Sequence, residues 1–453
     1  MRMLCNYCFC VSAFMLPFVS SIDIFRKILY PLGSGFFLFS CIGICLWIMH
    51  IRSGSILLPS KKISFCVVLF IISIIISGIA NIENMLHLEW QTVLGVNRFI
   101  MSIFLITMQF LISIYAYNIW IRSEYIHHIF FNCLLYGFVV SGIVGILEII
   151  SIFGVLDVSS ILSFIDDLYR GDLGRQAFRV SSVAGEPSFY AIYLGFITPF
   201  LLWKYYKCGS IFMLFCVNLL FLMVLGTYSR TAYGIILLEC FVYSIFFYKE
   251  IFRKKFKYTR KLFVIEILFF LFMVNFFSID FVGDVFGVFC TLIGDNAFSQ
   301  MSNLTRLGSS IAALNIFYEY PLFGIGYDQF AYFASEYYPD WAYQSMEIKK
   351  LAINYTSRSF WPSVYNYYAR LLCEVGVVGF LSFILIISSV FKEAYKSLVR
   401  SSNEKTKMFL VSFLGSCLSM FSGSDLSDVF CLSFALLLAE IKLSELGGMH
   451  VGQ

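Results

Sequence analysis

Charged residues are scarce in this chain of 453 residues: Asp, Glu, Lys and Arg make up 13% of it, whereas hydrophobic residues make up 60%. Soluble globular domains average about 25% charged residues. A composition so far from that average excludes an ordinary soluble protein. It predicts an integral membrane protein.

Histidine and externally placed cysteine are also scarce. The 5 histidines are spread along the chain, which argues against a histidine metal cluster. Most of the 14 cysteines lie inside apolar runs, where thiols act as small hydrophobic groups. Only Cys290 is expected outside the membrane, so a disulfide framework is not expected. The sequence therefore predicts no metal and no cofactor.

The chain instead has a series of apolar runs close to the ~20 residues that a helix needs to cross a bilayer. They predict an all-α polytopic membrane protein of about 12 transmembrane helices, with residues 1–453 forming a single integral membrane domain. The runs lie near residues 3–20, 31–51, 63–80, 99–121, 129–153, 187–203, 211–228, 231–248, 262–282, 366–391, 408–423 and 429–441.

The orientation follows from Lys and Arg in short loops, which mark the cytoplasmic side. The strongest basic clusters lie at 249–261 and 392–407, and Arg52, Lys61 and Lys62 agree with them. Twelve spans satisfy these clusters with both termini in the cytoplasm. This topology places two longer segments outside, at 157–186 and 283–365. We expect the second segment to carry short helices packed over the membrane face.

The basic residues differ in type between the two sides of the membrane. Under this topology nine of the twelve external basic residues are arginine, and fourteen of the twenty cytoplasmic ones are lysine. The planar guanidinium group can donate two parallel hydrogen bonds to one phosphate group, which the ammonium group of lysine cannot do. The asymmetry therefore predicts an extracytoplasmic anion site.

Two external arginines are the strongest candidates for that site. Arg230 lies in a hairpin of almost no length between two spans, and a charge held at membrane depth costs at least ~2.5 kcal/mol, so it indicates function. The alternative for Arg230 is an ion pair with Glu186 or Asp280. Arg306 is predicted in the first turn of an amphipathic helix, where free backbone N–H groups bind phosphate. The alternative for Arg306 is contact with lipid headgroups.

The helix that carries Arg306 is predicted from its apolar residues and its end. Leu307, Ile311, Leu314 and Tyr318 recur at helical spacing. Pro321 and the glycine turn 323–326 then end the helix.

A third candidate region runs from Arg175 through Arg179 to Glu186, directly before a span that opens with Pro187. Glu186 is predicted at the N-cap of that helix, where capping and catalysis are both open roles. Farther along, Arg370 and Glu374 are spaced as an i,i+4 pair, and we interpret them as a structural ion pair.

Four stretches of the sequence share an order and a topology with a known family. They are Gly185-Glu186-Pro187-Ser188 opening a span, Ser229-Arg230 before an apolar helix, Arg306 followed by residues 321–330, and Asn366 followed by residues 367–379. Together they cover about residues 179–391. In this region the chain resembles the bacterial O-antigen polymerases and ligases, polytopic glycosyltransferases that act on sugars linked to undecaprenyl diphosphate.

The resemblance implies a GT-C-like membrane glycosyltransferase of the bacterial inner membrane, with its active site facing the periplasm. Arg230 and Arg306 would hold the pyrophosphate, and Glu186 would be the first candidate base. The candidates for substrate binding are Arg175, Arg179, Asp328, Tyr365 and Asn366, with Asp328 also the second candidate base. The expected partners are a lipid-linked oligosaccharide, membrane lipid and a chain-length regulator, with no nucleic acid.

One position departs from the ligases of this family. Those ligases look to have a histidine directly before the asparagine that matches Asn366. In this chain the residue at that position is Tyr365. A tyrosine with a pKa near ~10 is a poor base at neutral pH, so the resemblance favours a polymerase over a ligase. A ligase that moves glycan to lipid A core or protein remains an alternative, as do a lipid-linked oligosaccharide flippase and a non-catalytic assembly protein.

Overall fold

The structure, a computed structural model, describes residues 2–18, 34–50, 56–90, 93–169, 175, 178–247, 301–353 and 361–450. Apart from one two-stranded hairpin, the regular structure in these ranges is helical. The α-helices are α1 (Arg2–Phe14), α2 (Gly35–His50), α3 (Lys61–Ala80), α4 (Ile82–His87), α5 (Gly95–Arg122), α6 (Glu124–Ile152), α7 (Ser159–Tyr169), α8 (Pro187–Cys208), α9 (Ile211–Gly226), α10 (Arg230–Phe246), α11 (Met301–Glu319), α12 (Phe330–Tyr337), α13 (Met346–Ile353), α14 (Tyr367–Arg400), α15 (Glu404–Ser419) and α16 (Asp428–His450). The strands β1 (Glu89–Trp90) and β2 (Val93–Leu94) pair antiparallel.

Eleven of the twelve predicted apolar runs coincide with a helix, and the run at 262–282 lies outside the described residues. Among the described helices, four, namely α3, α5, α6 and α14, are long and apolar enough to cross a membrane. The helices α1, α2 and α9 are apolar but shorter. The structure thus agrees with an all-α membrane protein, while the number of twelve spans and their orientation stay predictions.

The described helices fall into two compact units. The first unit holds α1, α2, α6 to α10 and α15 as far as Ser416; the second holds α3, α4, the hairpin, α5 as far as Asn118, α11 to α14 and α16. The single integral membrane domain of residues 1–453 stays a prediction.

In the first unit, α1 packs on α2 and α6, and α8 packs on both α9 and α10. The close approach of α8 to α10 depends on Gly195, because a Cβ there would lie 2.9 Å from the Ile235 side chain. The chain reverses between α9 and α10 within three residues, Thr227 to Ser229, with Tyr228 at a positive φ of 46°. This turn holds Arg230 directly at the start of α10.

In the second unit, α3 packs along α14, and the segment from α11 to α13 folds over the start of α14. Its core is small and apolar, and includes Ala312, Ile316, Phe330, Ala342 and Val364. The described part of the predicted loop 283–365 is therefore a packed helical layer. This agrees with the short helices predicted there, although the extracytoplasmic placement of the loop is untested.

The helix α11 confirms the helix predicted around Arg306 but not the face that it buries. The buried face is Leu304, Thr305, Gly308, Ser309, Ala312, Ala313 and Ile316. By contrast, Leu307 is 41% exposed and Tyr318 is 87% exposed. The face of α11 that carries Leu307 and Tyr318 is therefore not the buried face. Small residues, which contribute little to hydrophobic periodicity, let the other face approach its neighbours closely: a Cβ on Gly308 would lie 2.7 Å from Ala342.

The predicted glycine turn after α11 is confirmed and lies directly against α14. Gly324 has a φ of +64° and Gly326 a φ of +103°. The N–H groups of Ile325 and Gly326 donate to the carbonyl oxygens of Cys373 and Glu374, at 3.0 and 2.9 Å. These carbonyls are free for the turn because α14 is interrupted at Gly376, which has a φ of +68°.

The interruption at Gly376 can be tested by substitution. A residue other than glycine at position 376 would have to adopt backbone angles that only glycine adopts easily, which costs about 1–3 kcal/mol. Its Cβ would also clash with the backbone of Leu322. We expect Gly376→Ala to lower the midpoint of thermal unfolding in detergent. The matched control is Gly234→Ala in α10, where a Cβ meets nothing within 4 Å. Equal unfolding midpoints for the two variants would contradict the account of the kinked helix.

Candidate functional site

In the first unit, Arg179 is bound to the turn that precedes Arg230. The Arg179 Nε donates to the carbonyl oxygen of Thr227 at 3.0 Å, and the neighbouring Val180 N–H donates to the carbonyl oxygen of Gly226 at 2.7 Å. The Ser229 hydroxyl accepts from the N–H of Ala232 and so caps α10. Two arginines that the sequence singled out, Arg179 and Arg230, thus belong to one local structure.

Glu186 occupies the position that the sequence predicted. It is the N-cap residue of α8, and Pro187 is the first helical residue. Its exposed carboxylate makes no side-chain capping hydrogen bond and accepts a 3.3 Å contact from the Ser188 hydroxyl. The N-cap position is therefore confirmed, and a catalytic role for Glu186 stays a prediction.

Arg175 is held between two carboxylates in the first unit. Its guanidinium pairs with Glu148 and with Asp166 at 2.8 Å. Glu148 is buried and also accepts from the N–H groups of Ser181 and Ser182, at 3.1 and 2.6 Å. Glu148 therefore anchors the segment that leads to Glu186, a role that the sequence did not reveal. The contacts of Arg175 are those of a structural ion pair, and its predicted contact with substrate stays a prediction.

In the second unit, Arg306 lies farther inside its helix than predicted. The helix α11 has begun by Met301, so the prediction that Arg306 stands in the first turn was wrong, and with it the prediction of free N–H groups beside its side chain. The apolar pattern used for the prediction begins at Leu307, whereas the helix already includes the preceding turn, in which Leu304 and Thr305 are buried. The binding of pyrophosphate by the Arg306 guanidinium group stays a prediction.

The guanidinium carbon of Arg306 lies 5.8 Å from the centre of the Tyr365 ring, which is within the range of a cation–π interaction. Tyr365 is fixed at both ends. Its N–H donates to the Ser309 hydroxyl at 3.3 Å, and its hydroxyl donates to Glu347 Oε1 at 2.6 Å. The structure thus brings together the predicted residues Arg306 and Tyr365 and adds Glu347, which the sequence analysis missed.

Asn366 has a structural role at the start of α14. Its side-chain oxygen accepts from the N–H groups of Tyr368 and Ala369, at 3.1 and 3.3 Å. These are the contacts of an N-cap residue. Asn366 fixes the beginning of α14 directly after Tyr365, and its predicted contact with substrate stays a prediction.

Asp328 belongs to a buried cluster of charges around Arg370. The Arg370 guanidinium pairs with Asp328 at 2.6 Å, with Glu374 at 2.9 Å and with Asp425, and donates to the Ser424 carbonyl oxygen at 2.7 Å. The other oxygen of Asp328 pairs with Arg98 at 2.5 Å and accepts from the Ser102 hydroxyl. The predicted pair of Arg370 and Glu374 is confirmed.

The cluster also fixes the backbone around Asp328. Glu374 accepts from the N–H groups of Asp328 and Phe330, at 2.8 and 3.2 Å. Asp328 itself has a φ of 64°. Both of its carboxylate oxygens are occupied by cations, so nothing in this arrangement favours Asp328 as a base. The Asp425 side chain is 70% exposed, and the nearby Arg370 and the Ser424 hydroxyl hold its pKa below its usual value.

Arg98, at the start of α5, is a partly exposed member of this cluster. Its side chain is 32% exposed, and its guanidinium carbon lies 4.6 Å from the centre of the Trp361 ring. Tyr332 packs edge to face on Trp361 at 5.7 Å and donates to the Val93 carbonyl oxygen. Burial raises the pKa of Tyr332 to about 12, so its hydroxyl stays protonated. No motif or pattern in the sequence singles out Arg98.

Within the ranges that the structure describes, no group of three or more His, Cys, Asp and Glu side chains is placed to hold a metal ion. Arg179 and Arg230 lie in the first unit, and Arg306, Asp328, Tyr365 and Asn366 lie in the second. The convergence of Arg230 and Arg306 on one pyrophosphate stays a prediction.

The cluster around Arg370 can be tested by removing its cation. Replacing Arg370 with methionine leaves Asp328 and Glu374 buried without their partner, and breaking a buried ion pair in this way costs about 3–5 kcal/mol. We expect Arg370→Met to reduce the free energy of unfolding in detergent by that order. The control is Arg400→Met at the other end of α14, where the side chain is 69% exposed and lies 3.9 Å from Glu445; an exposed pair contributes about 0–1 kcal/mol. Similar losses for both variants would show that the cluster does not stabilise the fold.

Comparison with known proteins gives one family. Residues 215–384 match the family model described as O-antigen ligase. The match covers less than half of the chain but contains Arg230, Arg306, Asp328, Tyr365 and Arg370. It supports the O-antigen polymerase and ligase family in general, and it does not distinguish a polymerase from a ligase. No curated protein matches the chain.

Proposed function

We propose that this protein is an O-antigen polymerase. It transfers a growing glycan from undecaprenyl diphosphate to the non-reducing end of another lipid-linked repeat unit. The observation that carries the proposal is the placement of Arg306 beside Tyr365 at the start of α14, inside the region that matches the family. We place the site on the periplasmic side of a multi-pass protein of the bacterial inner membrane, where the acceptor is a second lipid-linked repeat.

The proposed reaction needs little from the protein beyond positioning and charge. An acceptor hydroxyl oxygen forms a bond with the anomeric carbon, the bond from that carbon to the diphosphate oxygen breaks, and undecaprenyl diphosphate leaves with the electron pair. Negative charge therefore grows on the diphosphate oxygens. Fixed guanidinium groups in a site with little water stabilise such charge strongly. In our proposal Arg230 and Arg306 do this, and no metal or cofactor takes part.

Two features support a polymerase over a ligase. Tyr365 occupies the position at which ligases of the family look to have a histidine. The stretch Gly185-Glu186-Pro187-Ser188 at the start of α8 is similar to the corresponding stretch of polymerases. The description of the matching family favours the second candidate, a ligase that moves glycan to lipid A core or to a protein. Purified protein that lengthens lipid-linked repeats without any other acceptor would support the polymerase. Transfer only when lipid A core is added would support the ligase.

The proposed arginine site predicts a large loss of activity on substitution. Removing one donor that stabilises developing negative charge reduces the rate by about 10²–10³-fold. We expect Arg230→Ala and Arg306→Ala each to abolish long glycan chains in cells at an unchanged protein level. Arg230→Lys and Arg306→Lys should restore only part of the activity, since lysine keeps the charge but not the paired donors.

The control for these variants is Arg400→Ala, which removes an exposed arginine from the opposite end of α14 and should leave the chain length unchanged. The measurement is the length distribution of the surface glycan on a denaturing gel. Glycan of wild-type length in both alanine variants would refute the arginine site.

A further inference from the structure

Tyr365 and Glu347 form a hydrogen-bonded pair beside Arg306 that the reaction described so far does not use. We propose that this pair is the proton relay of the glycosyl transfer, with Tyr365 in contact with the acceptor hydroxyl and Glu347 acting through Tyr365. The proposal rests on the proposed function. It gives a role to the position where this chain departs from the histidine of the related ligases.

The geometry of the pair suits a relay. The Tyr365 hydroxyl donates to Glu347 Oε1 at 2.6 Å, so its proton already points at the carboxylate. The Tyr365 backbone is held by Ser309 at 3.3 Å and by the Asn366 cap that follows it. Tyr365 and Glu347 are both only partly buried, so a sugar hydroxyl can reach the phenol.

Tyr365 and Arg306 are close enough to contact the acceptor and the leaving group of the same reaction. The Arg306 guanidinium lies over one face of the Tyr365 ring, 5.8 Å from its centre. A diphosphate bound by Arg306 would therefore lie next to the phenol, with the anomeric carbon between the leaving group and the acceptor. An acceptor hydroxyl that contacts the Tyr365 oxygen would be close to that carbon.

The proton balance of the step is simple. As the acceptor oxygen bonds to the anomeric carbon, its proton moves to the Tyr365 oxygen, and the Tyr365 proton moves to Glu347. Undecaprenyl diphosphate leaves with the electron pair of the broken bond, and Glu347 later gives its proton to water. Tyr365 is a phenol before and after the step, so its poor basicity at neutral pH does not prevent the transfer.

Charged and titratable groups surround the pair from the neighbouring elements. Arg306 faces it from α11, and Tyr338 faces it from the end of α12. Burial, and next the charge of Glu347, raise the pKa of Tyr338, so this phenol stays protonated. Lys349 and Lys350 follow Glu347 on α13, and both are exposed. Within this described surround, Glu347 is the carboxylate to which Tyr365 is hydrogen-bonded.

The other carboxylates considered for the base are placed less favourably. Both oxygens of Asp328 are occupied by Arg98, Arg370 and Ser102. Glu186 accepts a 3.3 Å contact from the Ser188 hydroxyl and makes no side-chain capping hydrogen bond at the start of α8. Glu347 combines a partly exposed position, a fixed donor and a nearby arginine.

The second unit offers a matched control for the experiment. Tyr337 also donates its hydroxyl to a glutamate, Glu319, at an exposed site. Glu319→Gln and Tyr337→Phe remove the same kind of hydrogen bond away from Arg306. They should leave elongation within threefold of the wild type.

The experiment uses full-length protein in lipid nanodiscs and a purified undecaprenyl-diphosphate-linked repeat unit. General acid and base catalysis contributes about 10²–10⁴-fold to a rate, so Glu347→Gln and Tyr365→Phe should each slow elongation by about 10²-fold or more. Binding of the lipid-linked repeat should stay within threefold of the wild type, because the pair acts on the proton and not on the diphosphate. Glu347→Asp should recover part of the rate.

The outcomes for the relay and for the proposed function are distinct. If the wild type elongates and both Glu347→Gln and Tyr365→Phe stay within threefold of it, the relay is refuted and the polymerase stands. If the wild type binds the lipid-linked repeat but never elongates it, the proposed function itself fails. If Glu347→Gln does not fold, the result with Tyr365→Phe, which keeps the ring and its packing, decides.

Discussion

The second unit depends on one buried guanidinium group, that of Arg370. It contacts Asp328, Glu374 and Asp425 and the carbonyl oxygen of Ser424. These partners come from α14 itself, from the turn after α11 and from the segment before α16. Arg370 therefore ties together three parts of the chain that are far apart in sequence, and the turn in question directly follows the helix that carries Arg306.

Burying such a charge is unfavourable unless its partners replace the lost water. Removing a guanidinium from water costs several kcal/mol, and the cost is offset only by well-placed partners. Here the backbone takes part as well: Glu374 also accepts from the N–H groups of Asp328 and Phe330, and Gly324 lies so close to α14 that a Cβ would meet its backbone. The stabilisation is specific to one arrangement of the turn, so the position of α11 relative to the start of α14 is fixed.

That fixed position matters for the chemistry we propose. Arg306 extends from α11 and Tyr365 precedes α14, so their contact requires the two helices to be held in one relation. Preorganised cations stabilise developing charge because they need no rearrangement during the reaction. The first unit uses the same means on a smaller scale, since Arg179 and the N-cap Ser229 hold the short turn in front of Arg230.

Local sequence determined much of the fold and part of the site. Apolar runs gave the positions of most helices, Pro187 gave the start of α8, the glycines gave the turn at 323–326, and i,i+4 spacing gave the pair of Arg370 and Glu374, because these features depend on residues within a few positions of each other. Only the tertiary structure decided the buried face of α11, the engagement of Asp328 by Arg98 and Arg370, and the bond from Tyr365 to Glu347. Those contacts join residues 18 to 230 positions apart, and no periodicity in the sequence connects them.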